Sequence, residues 1–289
     1  MKEPRLFVKQ RIHIENTFFL LPVLLFYGGV VLLPFLQGIP YSFTDWKSII
    51  SKDKNFIGLR NYFILITNPY FLRTLVNTFH FTFLYLIFAN LLGLVLALML
   101  CKSSRFNNVA RTITFMPFTV ALISSAIVWS YVYTDIYSPL FNSPSPLGVS
   151  KQVISGMAVI AIWRDMGYCM LIYIAALQSI PTDYYEAARV EGANYFQRLW
   201  HISLPMIVPA FTANVTLITA WGLRLFDYPM AVAKNMEAAQ STAMFVYENI
   251  FGYNKAGLGQ AAAIILTIIL VSITAITTNV LRNKEVETT

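Results

Sequence analysis

Of 289 residues, 57% are hydrophobic and only 12% charged, against about 25% charged in an ordinary soluble domain, so a soluble globular protein is excluded and a polytopic membrane protein is expected. The formal net charge of +7 does not argue for nucleic acid, because the Lys and Arg residues cluster at the ends of apolar runs, where orientation signals belong. Cys101 and Cys169 have neither a disulfide framework nor metal-ligand spacing, and read as small packing residues.

In chain order, a polar segment with Lys2, Arg5, Lys9 and Arg11 precedes an apolar run from Thr17 to about Gln37. The run is longer than a signal-peptide core, and LQGIPYS after it is no cleavage site, so it reads as a retained first span. Further runs cover Leu75–Leu100, Thr112–Tyr133, Val153–Leu177, Met206–Phe226 and Ala261–Leu281. Each is long enough to cross a core of about 30 Å at about 1.5 Å per residue. The expectation is six spans in one transmembrane domain over 1–289. Pro69–Asn77 should begin a helix leading into the second span, and Gly58 and Pro69 mark turns. The segment Asp135–Lys151, with Pro139, Pro144 and Pro146, reads as irregular. A short amphipathic helix is expected around Thr242–Phe251.

Orientation follows from the cations. With the N-terminus cytoplasmic, inner segments hold its basic residues together with Lys102, Arg105, Arg111, Arg189, Arg198, Arg282 and Lys284. Those on the outside (Lys47, Lys52, Lys54, Arg60, Arg73, Lys151, Lys234, Lys255) are spread over more residues. The bias places both termini and the loop Thr182–Pro205 in the cytoplasm.

That loop, TDYYEAARVEGANYFQRLWHISLP, reads as two short helices. Asp183, with Glu186 three residues on, caps the first, which stops at Gly192; Asn194 with Gln197 caps the second, which runs into Pro205, where it breaks or the next helix starts. Phe196, Leu199 and Trp200 share a helical face that needs an apolar partner. The plainer alternative is a loop resting on lipid headgroups.

No G-x-x-x-x-G-K-[ST], H-E-x-x-H, C-x-x-C or G-x-S-x-G is present, so neither a P-loop nor these enzyme signatures apply. Ionisable residues within spans are costly and default to functional candidates. Arg164 and Asp165 lie in the fourth span, where neighbours pointing about 100° apart can neutralise each other only in part. Arg224 and Asp227, three apart near the end of the fifth, can face each other. For these a structural ion pair or snorkelling is the plain alternative, whereas Arg164 reads as lining a cavity or a subunit contact. Trp129, Tyr131 and Tyr133 suit an interfacial belt. Trp163 and Trp221 lie deeper, where aromatic faces suit a hydroxyl-bearing solute such as a sugar. Asn90 and Asn214 add hydrogen bonds, to such a solute or between helices.

Glu186-Ala187-Ala188, then Gly192, then Ile202, Leu204 and Pro205 spell E-A-A-x3-G-x9-I-x-L-P. This resembles, position for position, the signature loop of the membrane subunits of binding-protein-dependent ABC importers. FIGLRNY, NPYFLRTLVNTFHFT, ALQSIP, LFDYP and GLGQAAA extend the resemblance to sugar permeases of the maltose-transporter type, on the side of the larger maltose permease. The resemblance implies an all-α, type I ABC importer permease in a bacterial cytoplasmic membrane. It also implies a second permease, two ATPase subunits and an extracytoplasmic solute-binding protein as partners. No cofactor would be bound by this chain; ATP and Mg would be used by the ATPases. Glu186, Ala187, Ala188, Arg189, Gly192, Ile202, Leu204 and Pro205 would couple to the ATPase. Trp163, Arg164, Asn214, Trp221, Arg224 and Asp227 are the candidate solute path. The chain departs from the family where AVAKNMEAAQST follows LFDYP in place of a T-x-G-G-P turn. The solute expected is an oligosaccharide or sugar derivative, with a non-sugar solute such as glycerol phosphate as the alternative. A membrane enzyme acting on lipid-linked sugars would need converging acids, and the acids here lie mostly in loops. A proton-coupled carrier would need a repeated pair of broken spans, which the sequence does not display.

Overall fold

The computed structural model describes residues 20–48, 50–51 and 54–288, with side chains up to Arg282. The basic segment Lys2–Arg11, the first three residues of the expected first span, Lys52 and the side chain of Lys284 lie outside that range. The described residues are almost entirely helical. Four continuous helices are long and apolar enough to cross a membrane: α1 Leu20–Tyr41, α3 Pro69–Leu100, α6 Val153–Ser179 and α12 Ala256–Thr288, the last counted as far as Arg282. Two bent pairs bring the number to six when each is taken as one span. Helix α2, Arg60–Thr67, precedes α3, and Asn68 caps α3 by accepting from Tyr70 N–H at 2.9 Å.

The chain divides into two compact units, residues 1–65 with 248–264 and residues 66–247 with 265–289. In the first, the FIGLRNY and GLGQAAA stretches meet on one segment. Asn61 Nδ2 donates to Ser42 O at 2.8 Å and to Thr44 O at 2.9 Å. Gly257 N–H donates to Trp46 O at 2.7 Å, and a Cβ on Gly257 would lie 2.3 Å from Thr44 O. Asp45 accepts from Asn55 Nδ2 at 3.0 Å and Asn55 N–H at 2.7 Å, hydrogen bonds that hold its carboxyl below the usual range.

In the second unit α3 and α6 pack along their length. Where no hydrophobic force acts between spans, small residues let backbones approach. A Cβ on Gly93 of α3 would lie 2.6 Å from Cys169 Cβ, and one on Gly167 of α6 only 2.2 Å from Thr114 O. Cys169, fully buried, is thus a packing residue. Helix α9, Val208–Leu223, approaches α3 where Gly222 meets Thr82. Tyr173 O–H donates to Asn90 Oδ1 at 2.7 Å and Asn214 Nδ2 to Cys169 O at 3.2 Å, so both asparagines tie helix to helix.

Several expectations are corrected. The run Thr112–Tyr133 is no straight span: α4, Arg105–Thr119, and α5, Leu122–Phe141, meet at 103°. Pro117 has no N–H for a helical bond, Met116–Thr119 tightens to a 3-10 turn, and Val120 is extended at ψ 135°. The fifth span is also bent, by 61°, and broken spans are therefore present. Asp135–Lys151 is partly helical, with Val132–Tyr137 and Ser138–Phe141 continuing α5. Tyr133 is no belt residue: it is buried and donates to Gly156 O at 3.1 Å. Helix α10, Asp227–Val232, follows α9. The departing stretch 231–242 is pinned by Asn77 Nδ2, which donates to Ala238 O at 3.1 Å and Gln240 O at 2.9 Å. The expected helix around Thr242–Phe251 is α11, Thr242–Tyr247, followed by a wider turn at Glu248–Gly252.

Candidate functional site

The loop Thr182–Pro205 folds as a helical hairpin whose joint is made locally. Helix α7, Thr182–Val190, begins after Pro181 with no side-chain cap. Asp183 instead lies in the first turn and Arg189 in the last, each complementing the helix dipole. Gly192 takes φ +83°, while Gly192 N–H donates to Arg189 O at 3.1 Å and Ala193 N–H to Ala188 O at 2.9 Å. This pair of bonds is a Schellman closure, and its left-handed position suits glycine. Asn194 then opens α8, Tyr195–Met206, with a reciprocal capping box: Gln197 N–H donates to Asn194 Oδ1 at 2.9 Å, and Asn194 N–H to Gln197 Oε1 at 2.8 Å. Pro205 does not end the helix. A wide turn at Leu199–Ser203 precedes it, and the bend falls at Ile207, before Pro209 in the first turn of α9.

The signature residues divide by direction. Glu186, Ala187, Arg189 and Gly192 are exposed, whereas Ala188 and Pro205 are half-buried. Ile202 and Leu204 pack against the core. Tyr185 Oη and Ser203 Oγ, 2.9 Å apart, join the two helices. Phe196 and Trp200 are 69% and 64% exposed, an apolar face left uncovered by the described residues.

A cavity of about 320 Å³ lies where α3, α6 and α9 meet the break between α4 and α5. It brings together Arg164, Trp221, Arg224 and Asp227. Trp163 is not on its lining and packs edge-on against Trp129, ring centres 5.7 Å apart. Asn214 is fully buried elsewhere. Arg164 braces the broken span: Nε donates to Val120 O at 3.0 Å and Nη2 to Phe118 O at 3.2 Å. These are carbonyls that the break leaves without helical partners, and each would cost several kcal/mol unsatisfied in a membrane. Nη1 pairs with Asp165 Oδ1 at 2.5 Å, so the adjacent residues neutralise each other directly, the long arginine arm overcoming their divergence on the helix. Asp165 Oδ2 accepts from Tyr85 O–H. Among the described residues no ion pair joins Arg224 to Asp227; Arg224 is exposed and Asp227 half-buried.

Phe118, Tyr168 and Trp221 form an aromatic cluster beside the cavity, with ring centres 4.8 Å apart for Phe118–Tyr168, 5.4 Å for Tyr168–Trp221 and 6.2 Å for Phe118–Trp221. Phe118 and Tyr85 escaped the sequence reading. Pro117 within an apolar run was the available signal for the first; Tyr85 carried none, because its partner is distant in the chain. Apolar ring faces beside two cations and two carboxylates form an amphipathic pocket, able to stack a neutral ring and bond its hydroxyl groups.

Similarity to known proteins agrees with this arrangement. The chain is 30% identical over 277 residues to a probable starch degradation products transport system permease protein of Thermoanaerobacterium thermosulfurigenes, covering 93% of this chain and 94% of the relative. It is also 30% identical over 286 residues to an osmoprotective compounds uptake permease protein of Synechocystis sp., covering 92% and 98%. A chain of the crystal structure of a bacterial ABC transporter involved in import of the acidic polysaccharide alginate has the same fold, at TM-score 0.81 and 21% identity, covering 97% of this chain and 99% of that one. Residues 89–285, which hold the hairpin and all of the cavity lining except Phe81 and Tyr85, match the model of the binding-protein-dependent transport system inner membrane component. A multi-span membrane chain with this hairpin and this match is a transport subunit, and it belongs to the family of binding-protein-dependent transport system inner membrane components.

Proposed function

We propose that this chain is one of two permeases of an ATP-driven sugar importer. The single observation that carries the reading is that two unbroken helix segments link the hairpin to the cavity. Helix α6 places Arg164 on the cavity and reaches Ser179 just before the hairpin, a run of about 22 Å at about 1.5 Å per residue. Helix α9 leaves the hairpin's bend and ends at Trp221–Leu223, with Trp221 on the same cavity. A rigid displacement of the hairpin therefore acts on two walls of the cavity at once, the geometry of a hinge or shear transition.

In this reading the termini and hairpin are cytoplasmic, and two ATPase subunits bind and hydrolyse ATP with Mg. This chain binds no cofactor. Glu186, Ala187 and Gly192 meet an ATPase groove, Phe196 and Trp200 supply the apolar part of that contact, and Ile202 and Leu204 transmit its motion into the core. A second permease completes the path, and an extracytoplasmic binding protein delivers the solute. Trp221 with Phe118 offers the ring surface and Arg224 with Asp227 the polar groups for an oligosaccharide or sugar derivative. The names of the starch-product and alginate proteins support a carbohydrate. That of the Synechocystis relative supports a small osmoprotective solute as the second reading.

The test is purification from membranes followed by uptake into vesicles. Two ATPase subunits and a second permease should co-purify, and Glu186→Lys should keep the protein in the membrane while abolishing uptake. Wild-type uptake by Glu186→Lys would refute the coupling role. Competition by linear oligosaccharides against small osmolytes separates the two solute readings.

A further inference from the structure

A second cavity, of about 370 Å³, lies between the hairpin and the ends of α3 and α6. Lys102, Arg189 and Arg198 all line it, and its lining includes no carboxylate. Among the described residues none of the three is in an ion pair; Arg189 Nε donates only to Tyr185 O, at 3.3 Å. Glu191 lies on a different hollow inside the hairpin, which Arg198 also borders. The orientation rule explains why cations are present at this end of the spans. It does not explain why three converge on one hollow of small-ligand size, about 300–1,000 Å³, without a counter-charge.

We propose that this hollow is a binding site for a phosphate-bearing anion. The two guanidinium groups offer paired donors that match phosphate oxygens, and the Lys102 ammonium adds a point charge. Tyr185, Tyr195 and Ser203 supply neutral hydrogen-bonding groups, while Leu98, Leu177 and Leu199 form an apolar wall. A basic pocket between membrane helices with such a wall fits the phosphodiester of an anionic lipid headgroup; a free phosphate has the same chemistry without need of the wall. Occupancy would draw α7 and α8 towards the ends of α3 and α6, and so tune how firmly the hairpin follows its partner.

Cys101 reports on the site. It lines the hollow and is half-buried, and its carbonyl is held by Arg111 and Gln178, while Cys169 is fully buried. The assembled transporter is placed in nanodiscs of phosphatidylcholine, with or without phosphatidylglycerol, and maleimide labelling of the Cys101 peptide is followed by mass spectrometry. Phosphatidylglycerol should slow labelling several-fold, and Lys102→Gln with Arg198→Gln should remove that protection without changing the rate in phosphatidylcholine alone. Protection by millimolar inorganic phosphate in phosphatidylcholine discs would identify the free anion as the source instead. Equal rates in all three conditions, or protection that survives in the double variant, would overturn the proposal. Native mass spectrometry of the wild-type assembly gives a readout that needs no variant: retained phosphatidylglycerol or phosphate supports the site, and loss of both at the lowest activation counts against it.

Discussion

The hairpin and the aromatic cavity are held together by different kinds of bond. In the hairpin, Gly192 closes on Arg189, Ala193 on Ala188, and Asn194 exchanges bonds with Gln197, all within a few residues. In the cavity, Arg164 reaches 44 and 46 residues back to Val120 and Phe118, and Tyr85 reaches Asp165 across 80. Locally bonded structure moves as a body. A site whose bonds cross between helices changes shape whenever those helices shift. In the proposed importer the hairpin would serve as a stiff handle and the cavity as a deformable chamber, connected by α6 and α9.

Breaking the cavity's brace should have the largest effect. Arg164→Met leaves Asp165 with the Tyr85 hydrogen bond but no counter-charge, and two carbonyls without the arginine's donors, and should destabilise the protein by about 3–5 kcal/mol, the usual result of removing one partner of a buried pair. Thermal unfolding in detergent would detect it, and Arg164→Lys should recover only part. Next comes the approach of α4 to α6: Gly167→Val would force a side chain into Thr114 O and should cost about 1–3 kcal/mol as overpacking does, lowering the melting temperature and the folded yield. In the handle, Gly192→Ala keeps the fold but puts a Cβ at φ +83°, at a cost of about 1–2 kcal/mol. Uptake should fall more than stability. If Gly192→Ala and Arg164→Met lowered uptake and stability in the same ratio, the distinction between handle and chamber would fail. The smallest effect is expected from Asn194→Ala, which removes a cap worth about 1 kcal/mol and should lower the coupling of ATP hydrolysis to uptake while leaving the spans intact.

How much of each region was legible follows from the same difference. The bend at Gly192 and the Asn194–Gln197 cap were readable because each depends on residues adjacent in the chain. Even there the start of α7 differs by two residues from the reading, since Pro181 and not Asp183 takes the N-cap position and Asp183 falls inside the first turn. Of the candidate path, Arg164, Trp221, Arg224 and Asp227 do share a cavity. Trp163 has the same composition-level credentials as Trp221 but turns towards Trp129, and Asn214 bonds a backbone carbonyl of α6.

By itself the sequence determined the all-helical membrane class, which apolar runs carry the continuous helices, the bend and second cap of the hairpin, and the family resemblance. These rest on apolar run length, glycine and cap chemistry, and the spacing of a signature, all properties of neighbouring residues. Only the tertiary structure decided that the third span breaks at Val120, that Arg164 closes the break, and that Ile202 and Leu204 turn inward while Glu186 and Gly192 turn out. A helix presents residues in every direction, and which direction becomes cavity, core or free surface depends on helices packed from elsewhere in the chain.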